Sequence, residues 1–206
     1  MYIPKYFDMH DPGKVASFIH AHSFGVLISG VDGRPFATHL PFLYDAERNV
    51  LFAHMAKANP QWQDLDGQEV LVVFSGPHAY ISPVWYQEAD SVPTWNYVAA
   101  HVYGTCAVID NEQELAALLA DIVRFYEPDS ELPAQADEPF YGNLMKAIVG
   151  FRIDITNVEG KAKLSQNKSA EVQERLAAKL SASADPDAQA IGRWMQDYRK
   201  GSKGVE

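Results

Sequence analysis

Apolar and polar residues change period several times along this chain, and each change predicts an element. Val15, Phe18 and Ile19 keep helical spacing behind Asp11-Pro12, a capping residue followed by proline at the first helical position, so a short helix is expected to about His22. FGVLIS (24–29), the tight turn VDGRP (31–35) with its Asp-Gly, and FATHLPFLY (36–44) predict an antiparallel hairpin. VLFAHMA (50–56) adds a third strand, making a meander. EVLVVFSG (69–76) and AYISPVWY (79–86) read as two strands around a Gly76-Pro77 corner. TWNYVAAHVYGTCAVID (94–110) is long enough to bend across two sides of a barrel, with Gly104 as its kink.

Asn111 and Glu114 form a capping box ahead of LAALLADIVRFY, where Leu115, Leu118, Leu119, Ile122 and Tyr126 make one apolar stripe. The Pro-rich acidic segment 127–140 reads as an extended connection, and AIVGFRIDITNV (147–158) alternates as a strand that exits at Gly160. Helices over 170–180 and 186–198 close the chain. Mostly antiparallel strands with short turns and peripheral helices predict a mainly β fold, a closed or half-open barrel.

Composition narrows the function classes. A chain of 206 residues supports one sizeable domain with a proper core, or a domain plus a helical appendage. It has no run of about 18 apolar residues and no signal-like N-terminus, so a cytoplasmic protein without membrane contact is expected. The one cysteine, Cys106, lies inside an apolar strand pattern and reads as a core thiol. A net charge of −10 speaks against a surface built on nucleic-acid phosphates. That average hides an asymmetry, because residues 146–206 carry 11 basic against 8 acidic side chains. No Gly-x-Gly-x-x-Gly after a strand and no Walker loop is present, which speaks against a Rossmann or P-loop nucleotide enzyme, and the seven histidines show no metal-ligand spacing.

Candidate chemistry collects in three places. Between Gly76 and Tyr103, six aromatic rings (Tyr80, Trp85, Tyr86, Trp95, Tyr97, Tyr103) alternate with Ser82, Thr94, Asn96, His78 and His101. Flat apolar faces beside hydrogen-bonding groups suit a planar heteroaromatic ligand; a β core would use the same residue types as filler. HMAKANPQW (54–62) puts Lys57 where a strand leaves the sheet, as a phosphate partner or an ordinary surface lysine. KAKLSQNKS (161–169) sets Lys161, Lys163, Ser165, Gln166 and Lys168 between a strand and a helix start, as an anion site or a capped polar loop.

Taken in order, MYIPKYF, HMAKANPQW, GPHAYISPVWY, VPTWNY with HVYG, and KLSQNKS resemble the PaiB family, described as FMN-binding negative transcriptional regulators. The resemblance implies the FMN-binding split barrel, related to the pyridoxamine phosphate oxidase fold, working as a homodimer with flavin at the interface. It implies a barrel domain over 1–168 with helices 11–22 and 111–126, and a helical pair over 169–206 packed on, or swapped across, the dimer. FMN contacts carried over are Thr38, His39, Leu40 and Pro41 along the ring edge, and His54, Met55, Ala56 and Lys57 near the phosphate. Trp95, Asn96 and Tyr97, with Lys163, Ser165 and Gln166, complete the implied set. The oxidase relatives favour arginine at the phosphate, where this chain offers lysine and histidine. Regulation would bring DNA as a partner, although charge does not support it. The final helix pair also lacks the short glycine turn of a helix-turn-helix, its loop being SASADP. The alternatives are an FMN-dependent oxidoreductase, with Tyr97, His39 or His101 as proton donor, and haem binding or degradation.

Overall fold

A two-residue turn needs left-handed backbone at both central positions, and Asp32 (φ 50°) and Gly33 (φ 72°) supply it. That turn joins β1 (Phe24–Val31) to β2 (Arg34–Pro41), in a register running from Phe24 opposite Pro41 to Val31 opposite Arg34. The remaining strands are β3 (Leu43–Asp45), β4 (Val50–Ala56), β5 (Glu69–Ile81), β6 (Thr94–Ile109) and β7 (Ile148–Lys163). Four helices accompany them: α1 (Pro12–Ala21), α2 (Glu112–Tyr126), α3 (Ala170–Ser181) and α4 (Pro186–Ser202). This is a computed structural model that describes residues 1–88, 90–131, 142 and 145–202, with the side chains of 199–202 excepted. From residue 132 onward, the connection expected over 127–140 lies outside the described residues.

The seven strands form one sheet in the order β2-β1-β5-β6-β7-β4-β3. The expected three-strand meander is therefore broken. Phe42, 2% exposed, leaves the ladder, and its N–H donates to the Ser23 carbonyl at 2.9 Å. Past this break, β3 pairs with β4 (Leu43 opposite Phe52), while β4 pairs on its other side with β7 (Val50 opposite Asp154 to Ala56 opposite Ile148). β1 takes β5 as its second neighbour, Val26 opposite Val73. β2 also contacts β4, so the sheet curls its ends toward each other.

Two further expectations change. β5 runs straight through Gly76-Pro77, since proline's fixed φ suits extended backbone and forfeits only one donor. Gly104 lies inside a continuous β6, where an added Cβ would fall 2.5 Å from the Asp154 carbonyl oxygen. Likewise β7 passes Gly160, where a Cβ would sit 2.7 Å from Val15. In all three cases glycine or proline reads as punctuation in sequence, but serves close backbone approach or extension in the sheet.

The helix signals hold. Asp11 Oδ1 accepts from the Gly13 N–H at 2.9 Å, and Asn111 Oδ1 accepts from Gln113 and Glu114 N–H at 2.8 and 3.0 Å. Of the α2 stripe, Leu115, Leu118 and Ile122 are buried, whereas Tyr126 is exposed and shares a 2.7 Å hydrogen bond with Ser23.

Backbone contacts divide the chain into two compact units. The first comprises Met1–Val15, Ser75–Ala100 and Glu159–Glu206; the second comprises Ala16–Phe74 and His101–Val158. The core of the first includes Ile81, Val98, Leu164, Leu176, Ile191 and Met195. That of the second includes Phe18, Leu27, Phe42, Leu51, Phe74 and Phe151, with Phe42 and Phe74 edge to face at 5.6 Å.

Candidate functional site

In the second unit, β2 alternates, so its four candidate residues divide. Thr38 and Pro41 are half-buried, His39 is exposed and stacks on Phe24 at 6.2 Å, and Leu40 turns into the core. On β4, Met55 is a core residue, while Ala56 and Lys57 emerge at the strand end. His54 is half-buried, its Nδ1 is buried without a hydrogen-bond partner, and burial holds its pKa below the ordinary histidine value.

The chain then enters a short 3₁₀ turn, Pro60–Asp64, capped by Asn59. This turn brings β2 and the end of β4 together. Asn59 Nδ2 donates to Thr38 Oγ1 at 2.9 Å, and Thr38 Oγ1 donates to Gln61 Oε1 at 2.5 Å. Trp62 Nε1 donates to the Lys57 carbonyl at 2.9 Å, and the Lys57 N–H reaches the Ala147 carbonyl at 2.8 Å. The Lys57 backbone is thus held at both polar groups while its side chain stays exposed. Lys57, Trp62, Asn111, Leu115 and Lys146 line a cavity of about 390 Å³. A larger one, about 710 Å³, is lined by none of the candidate residues; its walls include Tyr44, Phe52, Glu114 and Arg152.

In the first unit the other candidates behave differently. β6 alternation points Asn96 inward, fully buried, where its Oδ1 accepts from Ser165 Oγ at 3.1 Å and its Nδ2 lies 3.7 Å from Met195 Sδ. Ser165 sits at φ 64°, a left-handed conformation that costs a non-glycine residue about 1 kcal/mol. The bond to Asn96 and the Gln166 side chain offset that cost. Gln166 Oε1 accepts from the Leu164 N–H at 2.7 Å, and its Nε2 donates to the Ala162 carbonyl at 2.5 Å. Lys163 donates to Thr94 Oγ1 and, at 2.8 Å, to the Trp95 carbonyl; burial first and Lys161 second hold its pKa below the ordinary lysine value. Lys161 is buried, bonded to the Tyr2 carbonyl at 2.9 Å, with its ammonium 5.2 Å from the Tyr97 ring.

Of this second set, Trp95 presents the open ring. It is 53% exposed and meets Tyr80 and His78 at centroid distances of 5.9 Å each. His78 Nδ1 lies 3.3 Å from an Asp187 carboxylate oxygen on α4. Tyr80 and His78 belong to the aromatic run but not to the set of contacts that the resemblance implies. Their spacing, two apart on a strand and therefore on one face, is the signal that singles them out. Gln61 and Asn59 were legible as part of HMAKANPQW, but nothing in a linear pattern announces that a glutamine will be fully buried.

Cys106 is a core thiol, as expected. Burial, then Asp66 and Asp154, push its pKa up to about 12, so it carries no nucleophilic chemistry at neutral pH. Among the described residues no group of histidine, cysteine and carboxylates could hold a metal ion, and no helix is long and apolar enough to cross a membrane.

An antiparallel seven-strand sheet curling on itself with helices at its periphery, exposing a lysine at a strand end and an aromatic face elsewhere, defines a flavin-binding split barrel. Solved structures share this fold. The flavocytochrome Anf3 of Azotobacter vinelandii superposes with a TM-score of 0.63 at 17% identity, covering 78% of this chain and 72% of that one. The FAD and heme binding protein of Mycobacterium smegmatis gives 0.62 at 14% identity, covering 88% and 95%. Residues 1–157 match the family described as "Putative FMN-binding domain". The protease synthase and sporulation protein PAI 2 of Bacillus subtilis is 35% identical over 206 residues, covering 97% of this chain and 99% of that protein. A protein of Emericella nidulans is 33% identical over 172 residues, covering 63% and 68%. The chain belongs to the FMN-binding PaiB family, as its motifs suggested, and FMN is the cofactor by which that family is described.

Proposed function

We propose that this protein works as an FMN-loaded homodimer of the PaiB regulatory type, with Lys57 as its principal phosphate contact. The observation that carries this reading is the combination of a fixed backbone and a free side chain at Lys57, which opens on a cavity shared with Lys146. A phosphate dianion needs such a cation, held where ordering it costs little. His39, exposed on β2, is a second candidate donor, while the Thr38 hydroxyl is engaged by Gln61 and Asn59, and burial favours the neutral form of the His54 imidazole. The resemblance adds Trp95 as a flavin contact, and in the first unit Trp95 is an exposed ring beside Tyr80. The donor set therefore fits FMN. Bound FMN would supply one- and two-electron redox chemistry, while these side chains bind and orient it.

The test is an FMN titration of the purified protein by fluorescence and visible spectrum, with Lys57→Ala beside it. Saturable binding that weakens at least tenfold in the variant is expected; failure of the wild type to bind at tens of micromolar would overturn the reading. Dimer mass by light scattering, with and without FMN, tests the assembly.

The regulatory part rests on the resemblance and on a relative whose name refers to protease synthesis and sporulation. The net charge of −10 argues against broad phosphate contacts. In α3 and α4, Val172, Leu176, Leu180, Ile191 and Met195 are buried, the packing of a structural helix pair. A gel shift at low salt decides the matter: sequence-selective retardation supports a direct repressor, and its absence leaves regulation to be exerted through another route. A second reading, an FMN-dependent oxidoreductase, is favoured by the exposed face of Trp95, Tyr80 and His78, where His78 beside Asp187 could serve a planar substrate as a proton donor. Reduction of bound flavin by NADH or NADPH, reversed by a quinone, would support it.

A further inference from the structure

We propose that Gln61 is the residue that makes the site prefer a phosphorylated flavin over the same flavin without its phosphate, by fixing Lys57 against β2. The inference rests on the reading of Lys57 as the phosphate contact.

Gln61 is 0% exposed. Its Nε2 donates to Ser29 Oγ at 2.8 Å and lies within hydrogen-bonding reach of the Phe36 and Leu27 carbonyls at 3.3 and 3.4 Å, while its Oε1 accepts from Thr38. One amide thus ties together β1 and β2. Its backbone N–H is bonded to Asn59 Oδ1 at 3.0 Å, and Asn59 reaches Thr38 from the other side. The next residue, Trp62, holds the Lys57 carbonyl. Adjacent residues of one 3₁₀ turn therefore hold the β1–β2 hairpin and the Lys57 backbone.

An apolar side chain of similar length would fill this buried space and avoid dehydrating an amide. A buried glutamine whose polar ends are both engaged contributes directionality instead: it admits one arrangement of its neighbours, where packing alone tolerates several. The directionality here falls on the relation between β2 and Lys57. Ring contacts do not depend on it, but a phosphate contact made by one cation does, because misplacing an ammonium by about 1 Å forfeits a charge-assisted hydrogen bond.

The experiment measures the affinities of FMN and riboflavin for the full chain by calorimetry, in wild type, Gln61→Met, Thr38→Val and Lys57→Met. The wild type is expected to bind FMN at least tenfold more tightly than riboflavin, and Lys57→Met to bring that ratio close to one through FMN alone. Gln61→Met is expected to lower the ratio at least fivefold with riboflavin affinity held within threefold. Thr38→Val, which removes one arm of the network at nearly constant shape, moves the ratio the same way by about half as much on a logarithmic scale. A general loosening would instead weaken both flavins together. Equal losses for the two flavins, or an unchanged ratio in Gln61→Met, overturn the inference. If Gln61→Met fails to fold, Thr38→Val decides by the same criterion. A wild type indifferent to the phosphate, with no effect of Lys57→Met, overturns the underlying reading and this inference with it, a result distinguishable from the first by the lysine variant.

Discussion

The two candidate regions use polar residues in opposite ways. At the end of β4, the buried Gln61 and the half-buried Thr38 form a scaffold beneath a cation whose side chain stays in solvent. Where the start of β6 meets the end of β7 and the segment after it, the polar residues that looked like ligands are themselves the scaffold: Asn96, Ser165 and Gln166 are bonded to one another or to backbone, and Lys163 is spent on Thr94 and Trp95. What that region leaves open is aromatic surface. The lesson is that a polar motif becomes a binding site only for the groups left over once the backbone has been satisfied.

The contrast predicts that the two regions separate stability from ligand binding. The largest effect is expected for Asn96→Ala, which strands the Ser165 hydroxyl and opens a cavity beside Met195. A loss of about 2–4 kcal/mol is expected, read as a lower midpoint in urea unfolding. A change under about 1 kcal/mol would mean that the Asn96–Ser165 pair is not the scaffold of its region. Lys57→Ala should leave stability within about 0.5 kcal/mol, being an exposed side chain, while costing FMN about 1.5–3 kcal/mol of affinity. Equal losses in both measurements would erase the distinction drawn between the regions. Trp95→Ala should likewise spare the fold and cost flavin about 0.5–1.5 kcal/mol, the worth of an aromatic contact, by the same titration.

The smallest effect concerns pH. Burial lowers the folded pKa of His54 below its unfolded value, so between the two the unfolded state binds more protons. Stability contributed by keeping this imidazole neutral is complete above about pH 6.5 and declines as pH falls below it. Thermal midpoints measured from pH 7.5 to 5 should fall, and His54→Gln should flatten part of that slope. An identical slope in the variant would show that other groups carry the acid sensitivity.

Much of the fold was legible because local rules decided it. The caps at Asp11 and Asn111, the Asp32-Gly33 turn and the span of β4 depend on residues within a few positions of each other, and each appeared where the pattern put it. Resemblance carried the family and its cofactor, since five separate words in order constrain identity more than any one of them. It could not say which residues in those words face a ligand. Leu40, carried over from the split-barrel pattern, and Met55, in HMAKANPQW, belong to the core, because strand alternation sends every second side chain inward whatever the motif's meaning.

Short-range periodicity, turn chemistry and motif order were enough to specify the helices, the hairpin, the barrel class and the FMN-binding family. Packing in three dimensions was needed to set β4 between β3 and β7, to give Gly104 and Gly160 their role in close approach, and to bury Gln61 at the junction of two strands and a turn. The difference arises because hydrogen-bond satisfaction is a property of the folded neighbourhood: Gln61 meets Ser29 across 32 residues of chain, and Asn96 meets Ser165 across 69. No linear pattern encodes such partners. Once they are known, they divide the residues that hold this protein together from those left free to bind.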